Sequence, residues 1–193
     1  RRRAQPGADL TTDLIAAGLS DLELVATVVL LLNAGHEATV NVSGNGTLAL
    51  LRHPEQLQRL REDRALLPTA IEEFMRYDSP LQLFERTATE DVEVGGVTVE
   101  RGQKIAALLG AANRDPAVFD APDTFDVGRA DNAHIPFGAG IHFCIGAPLA
   151  RVELQATFGA LLDRTTTFEL GGEPVRRPEF VIRGLETLPV VLG

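Results

Sequence analysis

Residues 137–151 read Phe137-Gly138-Ala139-Gly140-Ile141-His142-Phe143-Cys144-Ile145-Gly146-Ala147-Pro148-Leu149-Ala150-Arg151, and they hold the only cysteine among 193 residues. Three glycines stand close to Cys144, and a helix-forming run opens at about Ala147. Glycine lets the backbone take positive φ and come close to a bulky partner. The following helix directs its N-terminal amides and positive dipole end toward the sulfur, and thiolate is the form of cysteine that ligates metal. Phe137 and Phe143 supply apolar walls, and His142 adds a polar group two residues before the sulfur.

A lone cysteine commonly behaves as a small buried hydrophobe. Zinc held by His134, His142 and Cys144 is a further reading, but it lacks an evident fourth ligand and any Cys-x-x-Cys pair. A thiolate in a glycine-rich, apolar-walled loop suits one axial bond to a flat iron macrocycle, where it pushes electron density onto the metal. The spacing Phe-x-x-Gly-x-His-x-Cys-x-Gly, carried by Phe137, Gly140, His142, Cys144 and Gly146, resembles the haem-binding loop of the cytochromes P450. The resemblance runs over residues 9–193, and family members are considerably longer. It implies a mainly α fold with small antiparallel β-sheets (α+β). Residues 1–193 would form a single domain, the C-terminal haem-binding portion of the family fold, with the N-terminal half absent.

The family implies haem b (iron protoporphyrin IX) bound through Cys144, with Phe137, Gly138 and Gly146 around it. It also places Arg86 and His142 against the haem propionates; a guanidinium matches a carboxylate with two donors.

Net charge is −9, which argues against nucleic acid or an anionic membrane surface as partner. One cysteine leaves no internal disulfide and fits a reducing cytoplasm. The chain shows no signal peptide and no apolar run that looks long enough to span a bilayer.

Ser20-Asp21-Leu22-Glu23 reads as a capping box opening a helix over about residues 22–51. Residues 22–32 are apolar on all sides, which predicts a buried helix. Within it, Ala34, Gly35, Glu37 and Thr39 make a small-residue notch beside a carboxylate expected to be buried. The notch resembles the distal helix of the P450s, where Ala-Gly widens a groove for dioxygen and an acid–alcohol pair relays protons. In the family pattern the alcohol directly follows the acid; here that position is Ala38, and Thr39 stands about 100° further round. Helices are also expected over residues 54–63, 68–77 and 149–164, the last of them amphipathic. Strands are expected over residues 81–89, 168–170, 181–183 and 189–192, with a Gly-Gly hairpin over 92–99 and mixed structure over 103–109. Residues 113–129 read as irregular loop.

Glu73 and Arg76 sit three residues apart on one helix and resemble the Glu-x-x-Arg pair of the P450s, which locks to an arginine before the cysteine loop. Arg129 is the matching arginine, and the three together imply a structural lock. Ile182-Arg183-Gly184-Leu185 resembles the turn that touches substrate from below. Val29, Leu32, Leu83 and Leu185 would face a small apolar organic substrate.

The function implied is a cytoplasmic haem-thiolate monooxygenase that inserts one oxygen atom of dioxygen into that substrate. Electrons would come from a ferredoxin and its reductase, and Arg151 offers one docking cation. The alternatives are a non-catalytic adaptor or inert fragment of the same fold, or a peroxide-driven oxidase.

Overall fold

In the computed structural model, which describes residues 1–193, the chain divides into two compact units, Arg1–Glu37 and Ala38–Gly193. In the first unit Asp9 caps helix α1 (Leu10–Ala16), its carboxylate accepting from the Thr12 backbone N–H at 3.0 Å. Helix α2 (Asp21–Arg52) begins in the first unit and ends in the second. It opens on the reciprocal cap the sequence predicts. The Ser20 N–H donates to Glu23 Oε2 at 2.9 Å, and the Glu23 N–H donates to Ser20 Oγ at 3.4 Å.

Two expectations about α2 need correction. Residues 22–32 are not buried: Leu22, Leu30 and Leu32 are 80%, 65% and 70% exposed, and Glu37 is exposed as well. An apolar pattern says that burial is favourable, but it does not supply the cover. Besides its part of α2, the first unit offers only the seven-residue α1. By length and composition α2 is also apolar enough to cross a membrane, with a mean hydropathy of 1.2 over an 18-residue window. The expectation that no apolar run looks long enough to span a bilayer is corrected on that point, by length and composition alone. The core helix of a soluble protein meets the same criterion.

The second unit continues with α3 (Pro54–Glu62), a 3₁₀ turn at Arg64–Leu66 and α4 (Leu67–Tyr77). Strands β1 (Phe84–Thr87), β2 (Val92–Val94), β3 (Val97–Val99) and β4 (Lys104–Ala107) follow, then the short α5 (Leu109–Ala112). After a long irregular stretch come α6 (Ala147–Arg164) and strands β5 (Phe168–Leu170), β6 (Val175–Arg176), β7 (Leu185–Thr187) and β8 (Val190–Leu192). The strands form four two-stranded antiparallel ribbons, β1 with β4, β2 with β3, β5 with β8 and β6 with β7. The fold is therefore mainly α with small antiparallel sheets. Gly95 and Gly96, at φ 60° and 79°, make the positive-φ turn that the hairpin twist requires.

Residues 181–183 form no ladder; Ile182 makes only an isolated bridge to Leu81, and β6 and β7 lie outside the expected strands. Helix α6 is not cleanly amphipathic. Leu154, Phe158 and Leu162 bury one edge, while Leu149 and Val152 stand 62% and 63% exposed.

The core centres on Phe74 of α4. Its ring lies 4.6 Å from that of Phe158 on α6 and 6.0 Å from that of Phe125. Helix α2 can approach because residue 46 is glycine: a Cβ there would stand 2.8 Å from the Phe74 ring. Burying a phenylalanine of this kind stabilises by about 1.5–3 kcal/mol.

Candidate functional site

The cysteine loop is shaped by backbone bonds and by two left-handed glycines. Gly138 and Gly140 take φ 72° and 65°, and Gly140–His142 forms one 3₁₀ turn. The Cys144 N–H donates back to the Phe137 carbonyl at 3.0 Å, and the Cys144 carbonyl accepts from the Ala147 N–H at 3.2 Å. These bonds fold the chain into a narrow loop that leads straight into α6, with Pro148 in the first turn. The loop abuts β1, since a Cβ on Gly138 would lie 3.9 Å from Phe84. Cys144 is free and exposed, which removes the reading of an inert core thiol. No group of three or more His, Cys, Asp or Glu side chains could hold a metal ion, so the zinc reading falls too.

His134 is engaged elsewhere. Its Nε2 donates to Glu72 Oε2 at 2.8 Å, and the same carboxylate accepts from Arg151 Nε at 2.6 Å and Nη2 at 2.8 Å. Burial pushes the Glu72 carboxyl up, but hydrogen bonds from Arg151 and His134, with their charge, overcome it and hold the carboxyl down at about 2. Arg151 Cζ also lies 4.7 Å from the centre of the Phe137 ring. Thus α4, α6 and the first residue of the cysteine loop are tied at one point. Arg151 is a brace for the loop and not the free docking cation that the sequence offered.

The next residue of α4 after Glu72, Glu73, is fully buried, as is Arg76 about one turn further on. Arg76 donates to Glu73 through Nε at 2.7 Å and Nη2 at 2.8 Å, and Arg129 Nε reaches the same carboxylate at 3.2 Å. Asn132 and the Asp126 N–H also donate to it, at 3.2 and 3.0 Å. The two arginines satisfy the carbonyls of the irregular stretch. Arg76 bonds those of Asn113, Pro122 and Thr124, and Arg129 those of Asp120, Ala121 and Thr124.

Arg86 on β1 and His142 in the loop are exposed, and neither forms an ion pair. Arg86 lies over the Phe84 ring at 5.6 Å and donates to the Glu85 carbonyl. Leu83 and Leu185 are half-buried, and a Cβ on Gly44 of α2 would meet Leu185 at 3.6 Å. Val29, Leu32, Ala34, Gly35 and Glu37 lie on the part of α2 within the first unit, and Thr39 on the part within the second. Glu72, His134 as its partner, and Asn132 escaped the sequence reading. A second glutamate beside Glu73 was the only local signal.

The sequence matches the cytochrome P450 family over residues 3–179. The chain belongs to the cytochromes P450. It is 45% identical to the biotin biosynthesis cytochrome P450 of Bacillus subtilis over 98% of this chain and 49% of that protein. It is 48% identical to cytochrome P450 107B1 of Saccharopolyspora erythraea, covering 100% of this chain and 50% of that one. Among solved structures, P450BioI in complex with an acyl carrier protein ligated to hexadec-9Z-enoic acid superposes with a TM-score of 0.96. It shares 46% identity, covering 100% of this chain and 50% of that one. The chain spans about half the length of the curated relatives it matches.

A P450 implies a haem, and the residues here fit one. An exposed thiol stands on a braced loop, apolar Phe143 and Ile145 flank it at 52% and 91% exposure, and two unpaired basic side chains are available for propionates. Cys144 would hold the iron; Phe137, Gly138 and Gly146 would line the loop side; Arg86 and His142 would take the carboxylates. A Cβ on Gly146 would stand 3.8 Å from Cys144 Sγ, so the glycine keeps that side of the sulfur open.

Proposed function

We propose that this chain supplies the haem-thiolate half of a bacterial monooxygenase acting on a small, apolar organic substrate. The bound haem would supply the oxygen-activating chemistry. The chain's own residues supply the thiolate, the propionate partners, part of the substrate wall and the proton path. The observation that carries this reading is the exposed Cys144 on its glycine-turned loop at the start of α6.

Leu83 and Leu185 would exclude water and orient substrate; Val29 and Leu32 are the positions of α2 to which the family resemblance gives the same role. Ala34 and Gly35 would leave room for dioxygen. Glu37 would move protons on its carboxylate, with Thr39 holding one at its hydroxyl. Positions two apart on a helix do not face each other, so a water or a substrate hydroxyl would bridge the pair. Electrons would come from a ferredoxin and its reductase, in the cytoplasm.

The test is the spectrum of the reduced, carbon-monoxide-treated protein. The red-shifted Soret band of a thiolate-ligated haem is expected from the unaltered protein and should vanish in Cys144→Ala. A Cys144→Ala protein with the same spectrum as the parent would overturn the reading. No haem band in either protein would favour a non-catalytic adaptor. Turnover on hydrogen peroxide without any electron donor would favour a peroxide-driven oxidase.

A further inference from the structure

Asp78 caps α4 and lies at the centre of a network that neither the cysteine loop nor the Glu73 cluster uses. Its Oδ2 accepts from Arg176 Nη2 and its Oδ1 from Arg183 Nε, both at 2.6 Å. Arg176 Nη1 donates in turn to Asn45 Oδ1 at 2.9 Å. The Asn45 amide, 1% exposed on α2, donates to the backbone carbonyls of Asp78 and Arg183, each at 3.1 Å. Every polar atom of a buried amide is thereby used.

The network converges on residues 181–185. The Arg183 N–H donates to the Pro80 carbonyl at 2.6 Å, and the Gly184 carbonyl accepts from the Arg177 N–H at 3.2 Å. Gly184 is buried, and a Cβ on it would run into the Asn41 side chain. Arg176 is the cross-strand partner of Leu185 in the β6–β7 ribbon, and Leu185 comes down beside Gly44. Asn41, Gly44 and Asn45 lie at i, i+3 and i+4, on one face of α2.

We propose that Asp78, Arg176, Arg183 and Asn45 form a clamp that fixes where Leu185 stands against α2, and that Asp78 is thereby a positioning residue for large ligands. This rests on the reading of Leu185 as substrate wall. A carboxylate shared by two arginines ties both β6 and the turn to the end of α4, whereas either arginine alone would leave one of the two ties. The clamp touches no reacting atom; it acts through Leu185.

Two measurements on the full chain test it, each with Asp78→Asn and with Arg183→Gln. Arg183 is nearly half exposed, so the second variant serves if the first does not fold. In the protein without haem, hydrogen exchange at the Arg183 and Arg177 amides should quicken by about tenfold in the variants. The Asp126 amide, held by Glu73, should keep its rate. In the haem-loaded protein, imidazole and 4-phenylimidazole are titrated by their iron-ligation spectra. The ratio of the two affinities should shift by about tenfold, with imidazole alone unchanged. Unchanged exchange at Arg183 and Arg177, a uniform rise that includes Asp126, or a constant affinity ratio would each overturn the clamp. Failure of the unaltered protein to show an imidazole-ligated haem would instead strike the monooxygenase reading, and the exchange measurement would still judge the clamp.

Discussion

Arg151 grips Glu72 with two donors while its guanidinium lies over Phe137, the residue that opens the cysteine loop. Helix α4, helix α6 and the loop therefore share one fixed point. The Glu72 carboxyl is held down to about 2 in the folded protein against an ordinary 4.5. A depressed carboxyl contributes stability that is present above the unfolded value and lost as pH falls through the folded one. Unfolding free energy should thus decline between about pH 4.5 and pH 2, and the decline should flatten in Glu72→Gln. Urea titrations at a series of pH values would show it; an identical slope in the variant would remove Glu72 from the acid response.

Arg76→Ala should be among the most damaging single changes. It would leave Glu73 buried against only Arg129, Asn132 and one backbone N–H, and would free the carbonyls of Asn113 and Pro122, while that of Thr124 would keep Arg129. Breaking a buried pair from one side costs about 3–5 kcal/mol. The urea midpoint of the variant against the parent measures it, and a loss under about 1 kcal/mol would show that the cluster is not a lock.

Two of the three glycines of α2, Gly46 and Gly35, should respond in opposite directions to alanine. At Gly46 a Cβ would stand 2.8 Å from Phe74, so Gly46→Ala should lower stability by about 1–3 kcal/mol. At Gly35 a Cβ would meet nothing within 4 Å, so Gly35→Ala should raise stability by about 0.5–1 kcal/mol. Melting temperatures of the pair report both signs.

Ala38→Thr would put a hydroxyl directly after Glu37, where the family pattern has it. Peroxide released per substrate oxidised should then fall several-fold. Unchanged coupling would mean that the proton path does not run through this position.

Much of the fold is legible in the sequence because its signals are local. Ser20 and Glu23 read each other across one turn, Gly95-Gly96 dictates its hairpin, and prolines mark the starts of α3, α4 and α6. The illegible parts depend on distant partners. Strands β6 and β7 pair across an intervening segment through a bulge, so neither carries a clear alternation of its own. Exposure at Leu22 and Leu32 depends on what covers a helix, which composition cannot state. At the candidate site, the loop around Cys144 announces itself by spacing, but its brace does not. Arg151 finds Glu72 79 residues earlier in the chain, and His134 finds it across 62.

The irregular residues 113–129 have no ladder to hold them, yet five of their carbonyls end on just two guanidinium groups, those of Arg76 and Arg129. Order in this stretch is thus wired from side chains and can be lost piecemeal, without any helix melting first. A protease should leave it intact in the native protein and cut it early once either arginine is replaced by lysine, whose single ammonium cannot span the same set of oxygens.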